Sequence, residues 1–75
     1  MNDVAPMQPN EIFDLIVKAD EKLKYATAGR GDARAAQARA LLERARDAAR
    51  AIGNHALVGQ AETRLADLDP PVGDA

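Results

Sequence analysis

The 75-residue sequence has no cysteine and no tryptophan, and only one phenylalanine, one tyrosine and one histidine. Without cysteine there are no disulfides, no thiolate metal ligands and no thiol nucleophile. Small secreted domains usually depend on such staples, so a reducing, cytoplasmic setting is expected. A long apolar run is missing too. Stretches such as Leu15-Ile16-Val17 are the longest, far short of the roughly 20 residues that span a bilayer. The opening MNDVAPMQPN has neither a basic region nor an apolar segment behind it, so no secretory leader is expected. Charge of one sign is not in excess either. Ten basic and twelve acidic side chains leave a net charge of −2, and the two signs are interspersed. That balance speaks against nucleic acid or an anionic membrane as the main partner.

What the chain does have is alanine and helical periodicity. Arginine outnumbers lysine and alanine is abundant, a coding bias expected of a high-GC bacterial genome. Residues 1–7 and 70–75 lack periodicity and read as flexible tails. Residues 8–69 read as one domain of three helices, at about 9–28, 32–52 and 55–69.

Pro9 suits the first helical position and Glu11 the first turn, where the helix dipole is positive. Gln8 or Asn10 is the candidate cap, asparagine having the better chemistry. Ile12, Leu15, Ile16, Ala19, Leu23 and Ala26 then recur at three and four residues, the spacing of one buried face. Gly29 is the expected stop and Asp32 the cap of the second helix. That helix carries Ala38, Leu41, Leu42, Ala45, Ala48, Ala49 and Ile52 on its inner side, with Arg39, Glu43, Arg46, Asp47 and Arg50 opposite. Gly53 ends it and Asn54 caps the third, whose stripe is Leu57, Val58, Ala61, Leu65 and Leu68. Pro70-Pro71 ends the domain. No segment alternates as a strand would. Short connections make consecutive helices antiparallel, and the fold class is all-α, a three-helix antiparallel bundle.

Ala38, Leu42 and Ala45 follow a small-x3-large-x2-small pattern, and ALLERARDAARAIGN at 40–54 ends in a Gly-Asn turn. Leu65-Ala66 supplies a leucine-small pair beyond it. Over residues 33–68, about half the chain, these features resemble a tetratricopeptide-repeat helical hairpin, about one and a half repeats. The resemblance implies protein binding or self-assembly. The matched positions are structural ones, so no binding residue follows from them.

Chemistry-bearing groups are sparse. His55 stands alone at the start of the third helix, without H-x3-H, H-E-x2-H or E-x2-H spacing for a metal. The acids are dispersed, and the GRGD segment lacks the spacing and lysine of a phosphate loop. Arg30-Gly31-Asp32 spells an adhesion tripeptide, yet each residue already has a reason to be in a turn or cap. No enzyme, metal or cofactor is therefore expected. On the first helix, Phe13 and Val17 lie roughly 100° off the centre of the main stripe, with Phe13 at its edge and Val17 beyond. Two accounts fit them: a cover formed by Val4, Met7 or the third helix, or a second apolar face for a partner. Phe13, Val17, Lys24 and Tyr25 form the candidate partner surface, for another protein or a second copy of the chain. The alternative is an anionic-ligand or nucleic-acid surface at Arg39, Arg46 and Arg50. There Glu43 and Asp47 interleave, and no aromatic rings stand ready to stack on bases. A core with few large apolar groups also points to marginal stability or self-association.

Overall fold

The computed structural model describes residues 6–24 and 31–68. They form three helices, α1 (Pro9–Lys24), α2 (Gly31–Ala51) and α3 (His55–Leu68), packed as an all-α three-helix bundle. Among the described residues there is no strand, as the absence of alternation predicts. The α2 helix is the shared element. It packs extensively against both neighbours, while α1 and α3 touch each other over a smaller area.

The α1 helix opens with a reciprocal cap. The Gln8 carbonyl accepts from the Glu11 and Ile12 amides at 2.9 and 3.0 Å, and the Gln8 amide donates to Glu11 Oε1 at 2.8 Å. Gln8 is thus the cap and Asn10 sits inside the first turn, against the preference for asparagine. The reason is local. Pro9 fits best as the first helical residue, and this register puts a glutamate third, where its carboxylate reaches back to the cap amide. Met7, read from sequence as part of the tail, packs on the core instead. It precedes the cap, from where an apolar side chain can staple the helix entrance.

The expected stop at Gly29 and most of the first connection fall at 25–30, outside the described residues. The α2 helix is already helical at Gly31, so Asp32 lies within its first turn rather than before it.

Between α2 and α3 the chain reverses as expected. Gly53 takes a φ of 70°. Its amide donates to the Arg50 carbonyl at 3.1 Å, and the Asn54 amide donates to that of Ala49 at 2.9 Å. This paired closure consumes carbonyls that the helix end would leave unsatisfied. Asn54 then starts α3, its Oδ1 accepting from the Leu57 amide at 3.1 Å.

The core is Ile12, Leu15, Ile16 and Ala19 of α1, Ala38, Leu42, Ala45 and Ala49 of α2, and Leu57 and Ala61 of α3. Leu23, Leu41, Ala48, Ile52, Val58, Leu65 and Leu68 pack around it, partly buried. Every one of these residues lies on a stripe that the periodicity predicts. Small side chains on α2 allow close approach of its neighbours. No polar side-chain atom is buried without a hydrogen-bond partner among the described residues, so the interior is apolar and satisfied.

Candidate functional site

Phe13, Val17, Asp20 and Lys24 fall at spacings of four, three and four, which places them along one side of α1. On that side Arg64 of α3 donates from Nε to both carboxylate oxygens of Asp20, at 2.9 and 3.2 Å. This ion pair ties α3 to that side of α1. Val17 is half-buried, whereas Phe13 remains 48% exposed. The order differs from the helical wheel, which places Val17 further out. A wheel reads one helix in isolation and cannot register the shelter of a neighbour. Val17 is thus partly sheltered and Phe13 is not; Val4, one of the covers expected from sequence, lies outside the described residues.

Phe13 is the only large hydrophobic side chain exposed among the described residues. Lys24 is exposed at the end of α1, and Tyr25 lies outside the described residues. Of the candidate partner surface, the described residues comprise the half-exposed Phe13 ring, the half-buried Val17 and the exposed Lys24.

The arginines of α2 are arranged differently from a free basic ridge. Arg46 Nε contacts Asp47 Oδ1 at 3.0 Å, within the helix. Arg50 Nη2 reaches across to Glu62 Oε2 on α3 at 2.9 Å. Arg39 and Arg46 are half-buried beside the core rather than pointing fully away from it. Sequence reasoning pairs these cations only with acids three or four residues away. The contacts to Glu62 and Asp20 span 12 and 44 residues, separations that no pattern within one helix exposes.

His55 is exposed in the opening turn of α3. No group of three histidine, aspartate or glutamate side chains is placed to hold a metal among the described residues. Arg30 lies outside the described residues, and Gly31 already belongs to α2. No helix among the described residues is long and apolar enough to cross a membrane.

One feature was not anticipated from sequence. Lys18, Glu21 and Lys22 of α1 and Arg34 and Leu41 of α2 line an open groove of about 320 Å³. Lys18 and Lys22 share a face of α1 at four-residue spacing, and Arg34 and Leu41 share one of α2 at seven. Each pair is visible in the sequence, but their convergence depends on how the two helices dock.

The fold defines the class, an all-α three-helix bundle with a closed apolar interior. Comparison with known protein families, curated proteins and solved structures gives no match for this chain.

Proposed function

We propose that this chain is a small, non-catalytic helical interaction module that self-associates or docks on a protein partner through α1 around Phe13. The observation that carries this reading is the exposure of Phe13 at 48%, where the other large apolar side chains among the described residues are sheltered. Burying the exposed half of this ring in a partner pocket is worth about 1 kcal/mol, roughly half the value for a fully exposed side chain, so Phe13 can anchor only a weak interface by itself. Val17, half-buried beside it, widens the apolar footing. A lone exposed histidine, the absence of cysteine and dispersed acids support the non-catalytic part of the proposal. The lack of cysteine equally supports a cytoplasmic setting.

The tetratricopeptide resemblance belongs to the same proposal. Ala38, Leu42 and Ala45, which carry it, have no solvent exposure, as packing positions of such a hairpin require. Ala66, the small member of the Leu65-Ala66 pair, is exposed. A further helix packed over α3 would be needed to complete the pattern there.

Binding of an anion through Arg39, Arg46 and Arg50 has less support, because Arg46 and Arg50 are already engaged by carboxylates. Electrophoretic shift at low salt tests that alternative, since counterion release makes such binding strongly salt-dependent.

The leading proposal is tested by sedimentation velocity over a concentration series, alongside photo-crosslinking from position 13 in the native cell. The expected result is a concentration-dependent mass increase or a discrete crosslinked protein, abolished by Phe13→Asp with helicity unchanged. A strict monomer with no crosslinked product would end the proposal.

A further inference from the structure

Among the described residues, the groove between α1 and α2 gathers three cationic side chains, Lys18, Lys22 and Arg34, against one carboxylate, Glu21. Like charges in such proximity repel, and folding gains nothing from bringing them together. Lys22 has a local reason for its place, since it stands in the last turn of α1 where the helix dipole is negative. Arg34 has none. It lies in the opening turn of α2, at the positive end of that dipole, where a cation is disfavoured. Both Lys22 and Arg34 are half-buried, their aliphatic stems lying along the seam between the two helices. Neither forms an ion pair among the described residues. Lys18 contacts Asp14 at 3.2 Å in an exposed pair, which leaves donor capacity on its ammonium.

Elsewhere on this bundle, arginines at comparable depth do find carboxylates. Arg46 pairs with Asp47 and Arg64 with Asp20. Among the described residues, the groove is where cations converge with fewer acids, Glu21 alone, lining it. Its volume of about 320 Å³ falls at the small end of the roughly 300–1,000 Å³ of ligand sites. Leu41 supplies an apolar floor beside the charged rim.

We propose that this groove binds a small organic polyanion, of the phosphate-monoester or tricarboxylate kind, with its charge held by Arg34, Lys22 and Lys18. The carbon frame of the ligand rests on Leu41. Arg34 contributes most, because its planar fork can donate two parallel hydrogen bonds to phosphate or carboxylate oxygens. The α2 dipole, which disfavours the bare guanidinium, favours the bound anion. The site is separate from Phe13 and does not depend on the docking role proposed above.

Titration of the isotopically labelled full chain with phenyl phosphate and with citrate in low-salt buffer, followed by amide chemical shifts, tests the site. Saturable shifts centred on Lys18, Lys22, Arg34 and Leu41 are expected, the tighter ligand identifying the head group. Arg34→Gln should weaken binding by about tenfold, the loss of a charge-assisted bond. Arg34→Lys should retain part of the affinity, and Arg44→Gln on the exposed side of α2 should leave it unchanged. Helicity measured on each variant separates lost binding from lost folding. Linear, non-saturating shifts with both ligands would overturn the proposal. So would equal weakening in Arg44→Gln and Arg34→Gln, which would mark a diffuse response to surface charge.

Discussion

Gly53 and Asn54 close one helix and open the next within two residues, each through its backbone and only one through its side chain. Gly53 has a φ of 70°, and a Cβ added there would meet nothing within 4 Å. Any cost of a side chain at this position is therefore conformational rather than steric. Gly53→Ala should lower stability by about 1–2 kcal/mol, the penalty of a left-handed residue with a Cβ. In a domain of this size the melting temperature should fall by about 4–8 °C per kcal/mol, read by circular dichroism. A much larger loss would mean that the turn is packed by something other than what surrounds it in this structure. Gly53 and Asn54 were legible in the sequence because turn chemistry is local. The α1 cap was less so. Both Gln8 and Asn10 were open, and the choice goes with Pro9 in the first helical position and the Gln8 amide donating to Glu11 Oε1.

The α2 helix shows how alanine can be structural in one position and neutral in the next. Ala38, Ala45 and Ala49 have no exposure, whereas Ala33, Ala36 and Ala40 on the same helix are exposed. The difference follows the 3.6-residue period and not the residue type. Enlarging a buried alanine forces its neighbours apart, which costs about 1–3 kcal/mol. Ala45→Leu should therefore destabilise by about that amount in urea denaturation, while Ala40→Leu should stay within about 0.5 kcal/mol of the parent. Equal effects at the two positions would contradict the orientation of α2. The stripe itself was readable from spacing. The half-burial of Arg39 and Arg46 was not, because it reflects how far the flanking helices wrap around α2.

At the scale of the whole molecule, the weakest packing is between α1 and α3, and there the polar tie from Arg64 to Asp20 supplements it. Arg64 also donates from Nη1 to the Gln60 carbonyl of its own helix at 3.2 Å, which holds the guanidinium in place. The pair is partly exposed, so its coupling is modest. A double-mutant cycle with Asp20→Asn and Arg64→Gln should give about 0.2–1 kcal/mol, shrinking as salt is raised. A coupling of zero at low salt would mean that this pair adds nothing to the docking of α3 on α1. The same docking decides what reaches solvent. It leaves Phe13 exposed and brings Lys18 and Lys22 next to Arg34 along the α1–α2 seam. None of these outcomes has a signature within a single helix.

Periodicity, caps and the glycine turn determined the helices, their inner stripes and the apolar core, because each depends on residues within a few positions of one another. The resemblance of residues 33–68 to a repeat hairpin rests on the same short-range spacing. That the Phe13 ring stays exposed, which arginine meets a carboxylate and where the groove cations converge were decided only when three helices took up fixed positions. Those are properties of distance between segments far apart in the chain, and no pattern along one segment encodes them.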